Sequence, residues 1–321
     1  MTLEVAIKTV EKEIQNFNSG LSSQELYTPI KYIMSLGGKR LRPALAILSN
    51  AYFGGDLENI CRPAIGIEVF HNFSLMHDDI MDNAPIRRGK QTVHEKWNAN
   101  SAILSGDAML VQAYQLLAET KGEFISPLLN LFSKTALEVC EGQQFDMDFE
   151  QRDDVSIKEY LEMITLKTSV LLACALETGA ITAGASEENR KNIYAFGLNM
   201  GIAFQLRDDY LDAFGEVEKV GKQTGGDILA NKKTFLALKA LEKSSQDQRK
   251  VLLRLAKETN PEKKIQNTLQ VFRDLKVDEE TEALSQAYFE KAIHALNQTA
   301  GSPNIKQQFL EFSEGLMVRE Y

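Results

Sequence analysis

Residues 78–82 read Asp-Asp-Ile-Met-Asp, residues 208–212 read Asp-Asp-Tyr-Leu-Asp, and both stretches lie in apolar sequence with helical periodicity. Residues four apart share one face of an α-helix, so the first and last aspartates of each stretch place two carboxylates side by side. Like charges at that spacing destabilise a helix unless a cation compensates them. The stretches therefore predict a divalent-metal site, and oxygen ligands favour magnesium over zinc, with manganese or calcium as alternatives.

The first stretch ends a predicted helix that runs from about residue 57 to residue 82, because Asn83-Ala84-Pro85 stops it. The helix dipole is negative at that end and disfavours anions there. This placement strengthens the prediction that metal compensates the aspartates.

Helical periodicity continues along nearly the whole chain, and no alternating strand or hairpin pattern competes with it. Ser22 and Glu25 read as a capping box that opens a second helix, and Pro43 suits the first turn of a third. Further helices are predicted at about residues 98–120, 124–149, 156–184, 187–215, 231–243, 247–258, 262–299 with a break near Lys276, and 303–317. Because no linker divides the chain, we expect residues 1–321 to form a single all-α domain, a helical bundle with both aspartate stretches facing one central cavity.

Composition narrows the classes of function. The 321 residues are 44% hydrophobic, enough for a sizeable core, and carry a net charge of −9, which disfavours nucleic-acid binding. Three cysteines without metal-ligand spacing are typical of buried thiols in a reducing compartment and favour a cytoplasmic location. The first residues do not read as a signal peptide, and no apolar run is long enough to predict a transmembrane segment.

Three segments are candidate phosphate sites. Residues 36–43 (LGGKRLRP) combine two glycines with cations before a helix, and residues 83–90 (NAPIRRGK) offer adjacent guanidiniums. Either would more often be an ordinary turn if it stood alone, but the position of residues 83–90 directly after the first aspartate stretch favours phosphate binding there. Residues 221–233 are Gly-rich and basic, as in a mobile lid over a polyphosphate.

These motifs occur in the order found in trans-isoprenyl diphosphate synthases, and the chain resembles that family from residue 37 to residue 233. The resemblance implies the isoprenoid synthase fold, a homodimer and three magnesium ions. It also implies head-to-tail condensation of isopentenyl diphosphate with an allylic diphosphate (dimethylallyl, geranyl or farnesyl), which releases diphosphate and adds five carbons.

The same resemblance assigns roles by position. The metal ligands would be Asp78, Asp82 and Asp208, with outer-shell partners Asp79, Asp209 and Asp212. The allylic diphosphate would be held by Arg87, Lys167, Lys222 and Lys232, and isopentenyl diphosphate by Lys39, Arg42, His71 and Arg88. The allylic cation would be stabilised by Thr168, Gln205 and the carbonyl of Lys167. His77, beside the first stretch, is interpreted as structural.

Product length is predicted from the helix before the first stretch. Phe73 lies five residues before Asp78 and Phe70 eight before, so both can line the wall that a growing chain meets, while Ser74, four residues before Asp78, is small. This pattern resembles short-chain synthases of the geranylgeranyl type, with farnesyl diphosphate as the alternative product. Two core phenylalanines would be the structural alternative.

Two other functions compete with this interpretation. A class I terpene cyclase shares metal-triggered ionisation, but its second metal motif usually carries Asn or Asp, Ser or Thr, and Glu, where this chain reads DDYLD. A regulatory subunit of a heteromeric synthase would not need both aspartate stretches intact. A helical bundle that merely binds calcium is a third, structural alternative.

Overall fold

The structure is a computed structural model that describes residues 1–215 and 224–318. It confirms the all-α class, since the only strands in the described part of the chain are two of two residues each. The chain divides into two compact units. Unit 1 comprises Met1–Ala136, Leu171–Tyr194 and Gln298–Gln308, and unit 2 comprises Leu137–Val170, Ala195–Asn297 and Phe309–Tyr321.

The elements of the first half of the chain are mostly long helices. In chain order they are α1 (Leu3–Gly20), α2 (Thr28–Ser35), α3 (Leu41–Tyr52), α4 (Leu57–Met81), β1 (Ile86–Arg87), β2 (Lys90–Gln91), α5 (Val93–Lys96), α6 (Ala99–Ala118) and α7 (Gly122–Glu150).

The second half contains shorter helices as well. They are α8 (Ile157–Ile164), a π-helical turn (Thr165–Ser169), α9 (Val170–Thr182), α10 (Glu187–Phe214), α11 (Gly226–Leu229), α12 (Phe235–Lys243), α13 (Gln246–Leu255), α14 (Pro261–Asp274), α15 (Val277–Asn297) and α16 (Pro303–Met317).

Helix α4 is the core helix of unit 1 and ends in the first aspartate stretch. It is buried on nearly all sides over its middle turns and packs on α3 and α6. Glycines allow this close packing: a Cβ on Gly66 would lie 3.0 Å from the carbonyl oxygen of Ala113, and one on Gly106 would lie 2.2 Å from Nε2 of His77. His77 is thus seated against α6, where its Nε2 is 3.2 Å from the Ile103 carbonyl oxygen, in agreement with a structural role.

Most predicted helices are confirmed, including the break near Lys276, which adopts a left-handed φ of 55° between α14 and α15. The capping box predicted at Ser22 and Glu25 is wrong. Helix α2 begins at Thr28 instead, with Pro29 in its first turn.

Three other predictions need correction. The hairpin β1–β2 was not predicted, because two residues per strand show no alternation. The helix predicted at 156–184 is interrupted by the π-helical turn, and the one predicted at 231–243 begins at Phe235 after the separate turn α11.

One helical stretch of the described residues, Ile157–Thr182, is long and apolar enough to cross a membrane. Its sequence was expected to contain no apolar run of that length, so this expectation needs correction. Within its 18-residue apolar window 67% is buried in the protein, as in the core helix of a folded domain.

Candidate functional site

The first aspartate stretch lies where α4 turns into a loop. Asn83 adopts a left-handed φ of 49°, and the backbone N–H of Ala84 donates to the carbonyl of Asp79 at 2.9 Å. This is the Schellman arrangement that closes helix C-termini. It leaves Asp79 buried, Asp78 half-buried and Asp82 exposed.

The loop after α4 is a tight hairpin that aims two arginines. Ile86 pairs with Gln91 and Arg87 with Lys90, and both turn residues, Arg88 and Gly89, have positive φ, as in a type I′ turn. The hairpin directs its first arginine back to α4.

Arg87 neutralises the middle aspartate of the first stretch. Its Nε lies 2.8 and 2.9 Å from the two carboxylate oxygens of Asp79, and its Nη2 lies 2.7 Å from Oδ1. Charge-assisted bonds of this bidentate kind are the strongest in proteins. Asp79 is therefore occupied by a guanidinium, which agrees with an indirect role and not with a metal ligand.

Residues 37–42 form the second basic element of unit 1. Gly37 and Gly38 have φ values of 79° and 134°, and Arg88 donates to the carbonyl of Gly37. A Cβ on Gly38 would lie 3.0 Å from Cζ of Arg88, so this glycine makes room for the guanidinium. The glycine turn and the hairpin arginine thus meet, as the interpretation of both segments as one phosphate site requires.

Arg40, between the predicted ligands of this turn, is structural. Its side chain is 1% exposed and lies 2.6 Å from Glu68, which is 3% exposed, and it also donates to the Met34 carbonyl. Lys39 by contrast is exposed.

Arg42 and His71 lie together in unit 1, with Nη1 of Arg42 3.4 Å from Nε2 of His71. Burial, reinforced by Arg42, Arg88 and Arg87, holds the pKa of His71 well below its ordinary value. Burial also lowers the pKa of Arg42 and of Arg88. The imidazole is therefore neutral, and the surrounding guanidiniums form a cationic cluster suited to an anion of several charges.

The predicted chain-length residues lie on α4. Phe70 is fully buried between Phe73 (ring centroids 5.5 Å apart) and Phe132 (5.1 Å), while Phe73 is 8% exposed and its ring lies 4.7 Å from that of His77. Ser74 is half-buried and donates its hydroxyl to the His71 carbonyl. Phe73 is therefore nearer than Phe70 to the accessible surface.

In unit 2 the middle aspartate of the second stretch is again buried and satisfied. Tyr160 Oη donates to Oδ2 of Asp209 at 2.5 Å, and Nε2 of Gln205 donates to Oδ1 at 2.9 Å. Burial raises the pKa of Asp209 to about 7, even though both donors act to lower it. Asp208 is half-buried beside it.

Asp212 accepts hydrogen bonds from the segment that begins at residue 224, where the described residues resume. The backbone N–H of Asp227 donates to Oδ2 of Asp212 at 2.9 Å, and Gly225 donates to its carbonyl. Burial raises the pKa of the Asp212 carboxyl, and this backbone hydrogen bond opposes the rise.

Lys232 lies 3.2 Å from the Asp227 carboxylate. Burial acts to lower its pKa, but Asp227 and more distant carboxylates outweigh that effect and raise it. Lys222 lies outside the described residues.

The π-helical turn places the remaining predicted residues. Two glycines on neighbouring helices make room for it: a Cβ on Gly142 would lie 2.2 Å from the backbone nitrogen of Lys167, and one on Gly201 would lie 2.7 Å from Ser169. Lys167 is paired with Asp146 at 2.5 Å, and the Thr168 hydroxyl lies 3.5 Å from Oε1 of Gln205. π-Helical turns inside α-helices recur at functional sites.

Sequence reasoning missed three residues that contact the predicted ones: Asp146, Tyr160 and Asp227. Asp227 follows a Gly-Gly pair in the basic segment that was singled out, so its position was a usable signal. Asp146 and Tyr160 lie in ordinary amphipathic helices, and nothing in the local sequence distinguishes them from core or surface residues.

Comparison with known proteins identifies the class of site. Residues 23–272 match the polyprenyl synthetase family model. The geranylgeranyl diphosphate synthase of Sulfolobus acidocaldarius is 34% identical over 318 residues, which are 98% of this chain and 96% of that protein. The chain belongs to the polyprenyl synthetase family. The geranylgeranyl diphosphate synthase of Methanosarcina mazei is 44% identical over 222 residues, 68% of each protein.

A solved geranylgeranyl pyrophosphate synthase has a TM-score of 0.94 and 45% identity to this polyprenyl synthetase, with both chains fully covered. The chain is therefore a short-chain trans-prenyltransferase with the isoprenoid synthase fold. The synthase names of these relatives favour the transferase over the cyclase and the regulatory-subunit alternatives.

Polyprenyl synthetases generally use a divalent metal. In the described ranges no group of three or more His, Cys, Asp or Glu side chains is arranged to hold a metal ion. The donors nevertheless fit a hard cation, since Asp79, Asp209 and Asp212 accept hydrogen bonds from neighbouring donors, and Asp78, Asp82 and Asp208 supply only oxygens. Magnesium commonly binds through one or two carboxylates and completes its shell with water and substrate phosphates.

Proposed function

We propose that this polyprenyl synthetase condenses isopentenyl diphosphate head-to-tail with an allylic diphosphate (dimethylallyl, geranyl or farnesyl) to give a short-chain product. The observation that carries this proposal is that each aspartate stretch has basic side chains close by. In unit 1 these belong to the hairpin and the glycine turn. In unit 2 Lys232 acts electrostatically on Asp212, and Lys167 lies in the π-helical turn, whose Thr168 hydroxyl is 3.5 Å from Gln205, the partner of Asp209. Carboxylates next to cations are what a metal-bridged diphosphate requires.

Asp78, Asp82 and Asp208 are proposed to hold magnesium, with three ions expected and manganese as the alternative. When bound, the metal would supply positive charge that stabilises the departing diphosphate. Asp79, Asp209 and Asp212 act indirectly, because each already accepts hydrogen bonds from protein donors.

The cations divide between two diphosphates. Lys39, Arg42, His71 and Arg88 are proposed to bind isopentenyl diphosphate, supported by the contacts of Arg88 with the glycine turn and of Arg42 with His71. The allylic diphosphate is proposed to be bound by Arg87, Lys167, Lys222 and Lys232. Lys167 and Lys232 each have a carboxylate partner, Asp146 and Asp227, which would have to share them with the ligand.

The reaction begins when the allylic carbon–oxygen bond breaks and its electron pair leaves with diphosphate. Thr168, Gln205 and the Lys167 carbonyl are proposed to stabilise the allylic cation with oxygen dipoles, while the apolar wall keeps water away. The isopentenyl double bond supplies the electrons of the new carbon–carbon bond. A proton then leaves to the released diphosphate.

The proposed product is geranylgeranyl diphosphate, with farnesyl diphosphate as the alternative. Support comes from the names of the two archaeal relatives and from Phe73, which is the less buried of the two α4 phenylalanines and so is placed to stop a growing chain. Phe70, whose ring packs against that of Phe73, would then hold the Phe73 ring in position.

A homodimer is supported by the outer face of α6. Ile103, Leu104 and Val111 are 45%, 60% and 59% exposed on one helix of unit 1. Exposed apolar side chains on one face mark surfaces that a partner covers, and we propose that a second copy of the chain does so. None of the three cysteines, all within the described residues, forms a disulfide bond, which supports a cytoplasmic location.

One assay tests the function: purified protein, magnesium, labelled isopentenyl diphosphate and each allylic primer in turn, with products resolved by length. We expect the label to appear in products of up to twenty carbons. With Asp78→Ala the rate of label incorporation should be at least about 100-fold lower, as it is when one electrostatic group is removed from an active site. Asp247→Ala, at an exposed aspartate of α13, is the matched control. Turnover of an allylic diphosphate without isopentenyl diphosphate would favour a cyclase, and inactivity of the chain alone would favour a regulatory subunit.

A further inference from the structure

Four side chains of unit 2 form a continuous series of hydrogen bonds around Asp209. Tyr160 donates to Oδ2 at 2.5 Å, Gln205 donates through Nε2 to Oδ1 at 2.9 Å, and the Thr168 hydroxyl lies 3.5 Å from the Gln205 oxygen. The series therefore runs from a buried tyrosine to a residue of the π-helical turn.

The direction of each bond in this series is fixed by chemistry. Both oxygens of Asp209 accept, Oδ2 from Tyr160 and Oδ1 from Nε2 of Gln205, so the NH₂ group of Gln205 and not its oxygen faces the carboxyl group. The amide oxygen is then left on the opposite side, toward Thr168. Without Asp209 the amide could rotate by half a turn and present its positive NH₂ group there.

Tyr160 holds the carboxylate in place. Its ring is 1% exposed and is surrounded by apolar residues that include Ile164, Leu206 and Leu238. A backbone hydrogen bond from Phe235, the first residue of α12, also acts on its hydroxyl. With that backbone donor on the oxygen, the single hydroxyl proton is available to Asp209.

We propose that Asp209, anchored by Tyr160, is a positioning residue that sets the polarity of the Gln205 amide, so that an oxygen dipole and not an N–H faces the forming allylic cation. This inference rests on the proposed function, because it deepens the role of Gln205 there. It assigns Asp209 to the cation-stabilising side of the site and not to the metal.

An exchange of the two functional groups tests the proposal. In Asp209→Asn the Tyr160 hydroxyl donates to the new amide oxygen, so the new NH₂ group faces the NH₂ group of Gln205. The Gln205 amide must then rotate and turn its donor toward the cation. We expect kcat to fall by about 100-fold, while both KM values and the magnesium concentration for half-maximal rate stay within twofold. The double variant Asp209→Asn with Gln205→Glu places the donor at 209 and the acceptor at 205, which reverses the wild-type bond but again leaves an oxygen of residue 205 facing the cation. Its kcat should recover by at least tenfold.

Tyr160→Phe tests the anchor. It removes one hydroxyl from a buried site without changing charge, and we expect a kcat reduction of about tenfold with unchanged KM values. Circular dichroism and thermal unfolding of every variant establish that the fold is retained.

A binding experiment makes the test independent of turnover. The probe is a tertiary amine with a prenyl skeleton, protonated at neutral pH, titrated with inorganic diphosphate and magnesium; its neutral carbon isostere is the control. We expect Asp209→Asn to weaken binding of the amine by about tenfold, the double variant to restore it, and neither change to affect the isostere. This result would support the proposal even if the wild type failed to condense the proposed substrates.

Three results would overturn the inference. The first is a raised magnesium requirement in Asp209→Asn with no recovery in the double variant, which would make Asp209 a metal ligand. The second is unchanged kcat in Asp209→Asn. The third is equal binding of amine and isostere by the wild type, which would mean that no oriented oxygen dipole faces the cation.

Discussion

Replacing Gly142 with alanine should displace the π-helical turn. The added methyl group would lie 2.2 Å from the backbone nitrogen of Lys167 and 2.7 Å from the carbonyl carbon of Leu166. Ordinary contact begins near 3.4 Å, so α7 and the turn must separate by about 1 Å. The contacted atoms are backbone, which cannot rotate away as a side chain can.

The expected magnitude is small for stability and large for activity. Alanine gains about 1 kcal/mol over glycine in a helix interior, and overpacking costs about 1–3 kcal/mol, so the free energy of unfolding should fall by at most about 2 kcal/mol. A misplacement of about 1 Å near the reacting atoms costs on the order of 100-fold in rate. Gly142→Ala should therefore stay folded and lose most of its kcat, because the Lys167 carbonyl and Thr168 move.

The assay is steady-state condensation combined with thermal unfolding. Gly122→Ala, on the same helix α7 but with open space around the glycine, is the matched control and should be fully active. Wild-type kcat in Gly142→Ala would refute the reasoning, since it would mean that the position of the π-helical turn does not matter for catalysis.

Three further predictions concern other parts of the chain. Phe73→Ala should lengthen the product by at least one isoprene unit, whose burial is worth about 4 kcal/mol. Mass spectrometry measures the length, and Phe196→Ala, at a phenylalanine that is also buried but lies in unit 2, should leave it unchanged. Burial raises the pKa of Cys61 to about 11, with Glu13 adding to the rise. Its thiolate is therefore scarce at pH 8, and its alkylation rate should keep rising to about pH 11, whereas that of free cysteine levels off near its pKa of about 8.5. Lys264→Met should lower the free energy of unfolding by about 1–3 kcal/mol, because the buried ammonium binds the carbonyls of Leu229 and Ala256; Lys263→Met, exposed next to it, should have little effect in denaturant titrations.

Much of the fold could be predicted from sequence because most of it is periodic. Helices such as α10 and α15 have buried positions three and four residues apart, and tertiary structure only confirms what that spacing indicates. The hairpin after α4 could not be found in this way. The turn of this hairpin requires positive φ angles at Arg88 and Gly89. Arginine is an unusual residue at the first of these positions, so the sequence does not indicate the turn.

The candidate site was predictable wherever chemistry is local in sequence. The aspartate stretches, the arginine pair and the glycine turn are short motifs, and Arg88 does contact the glycine turn. The π-helical turn was not predictable, because the space for it is provided by Gly142 and Gly201, which are far from it in sequence. Tyr160 was missed for the same reason, since it precedes its partner Asp209 by 49 residues.

The second aspartate of each stretch, Asp79 or Asp209, has a different kind of hydrogen-bond partner, and helix geometry explains why each needs one. In an α-helix the first and fifth residues lie on one face, whereas the second is rotated by about 100° toward its neighbours. The second aspartate is therefore buried in both stretches, and a buried carboxylate must be hydrogen-bonded. Asp79 receives a guanidinium that cancels its charge, whereas Asp209 receives two neutral donors, and burial raises its pKa to about 7. Neutral donors stabilise a buried carboxyl less strongly than a guanidinium does, so their use at Asp209 argues that its acceptor oxygen serves the orientation of Gln205.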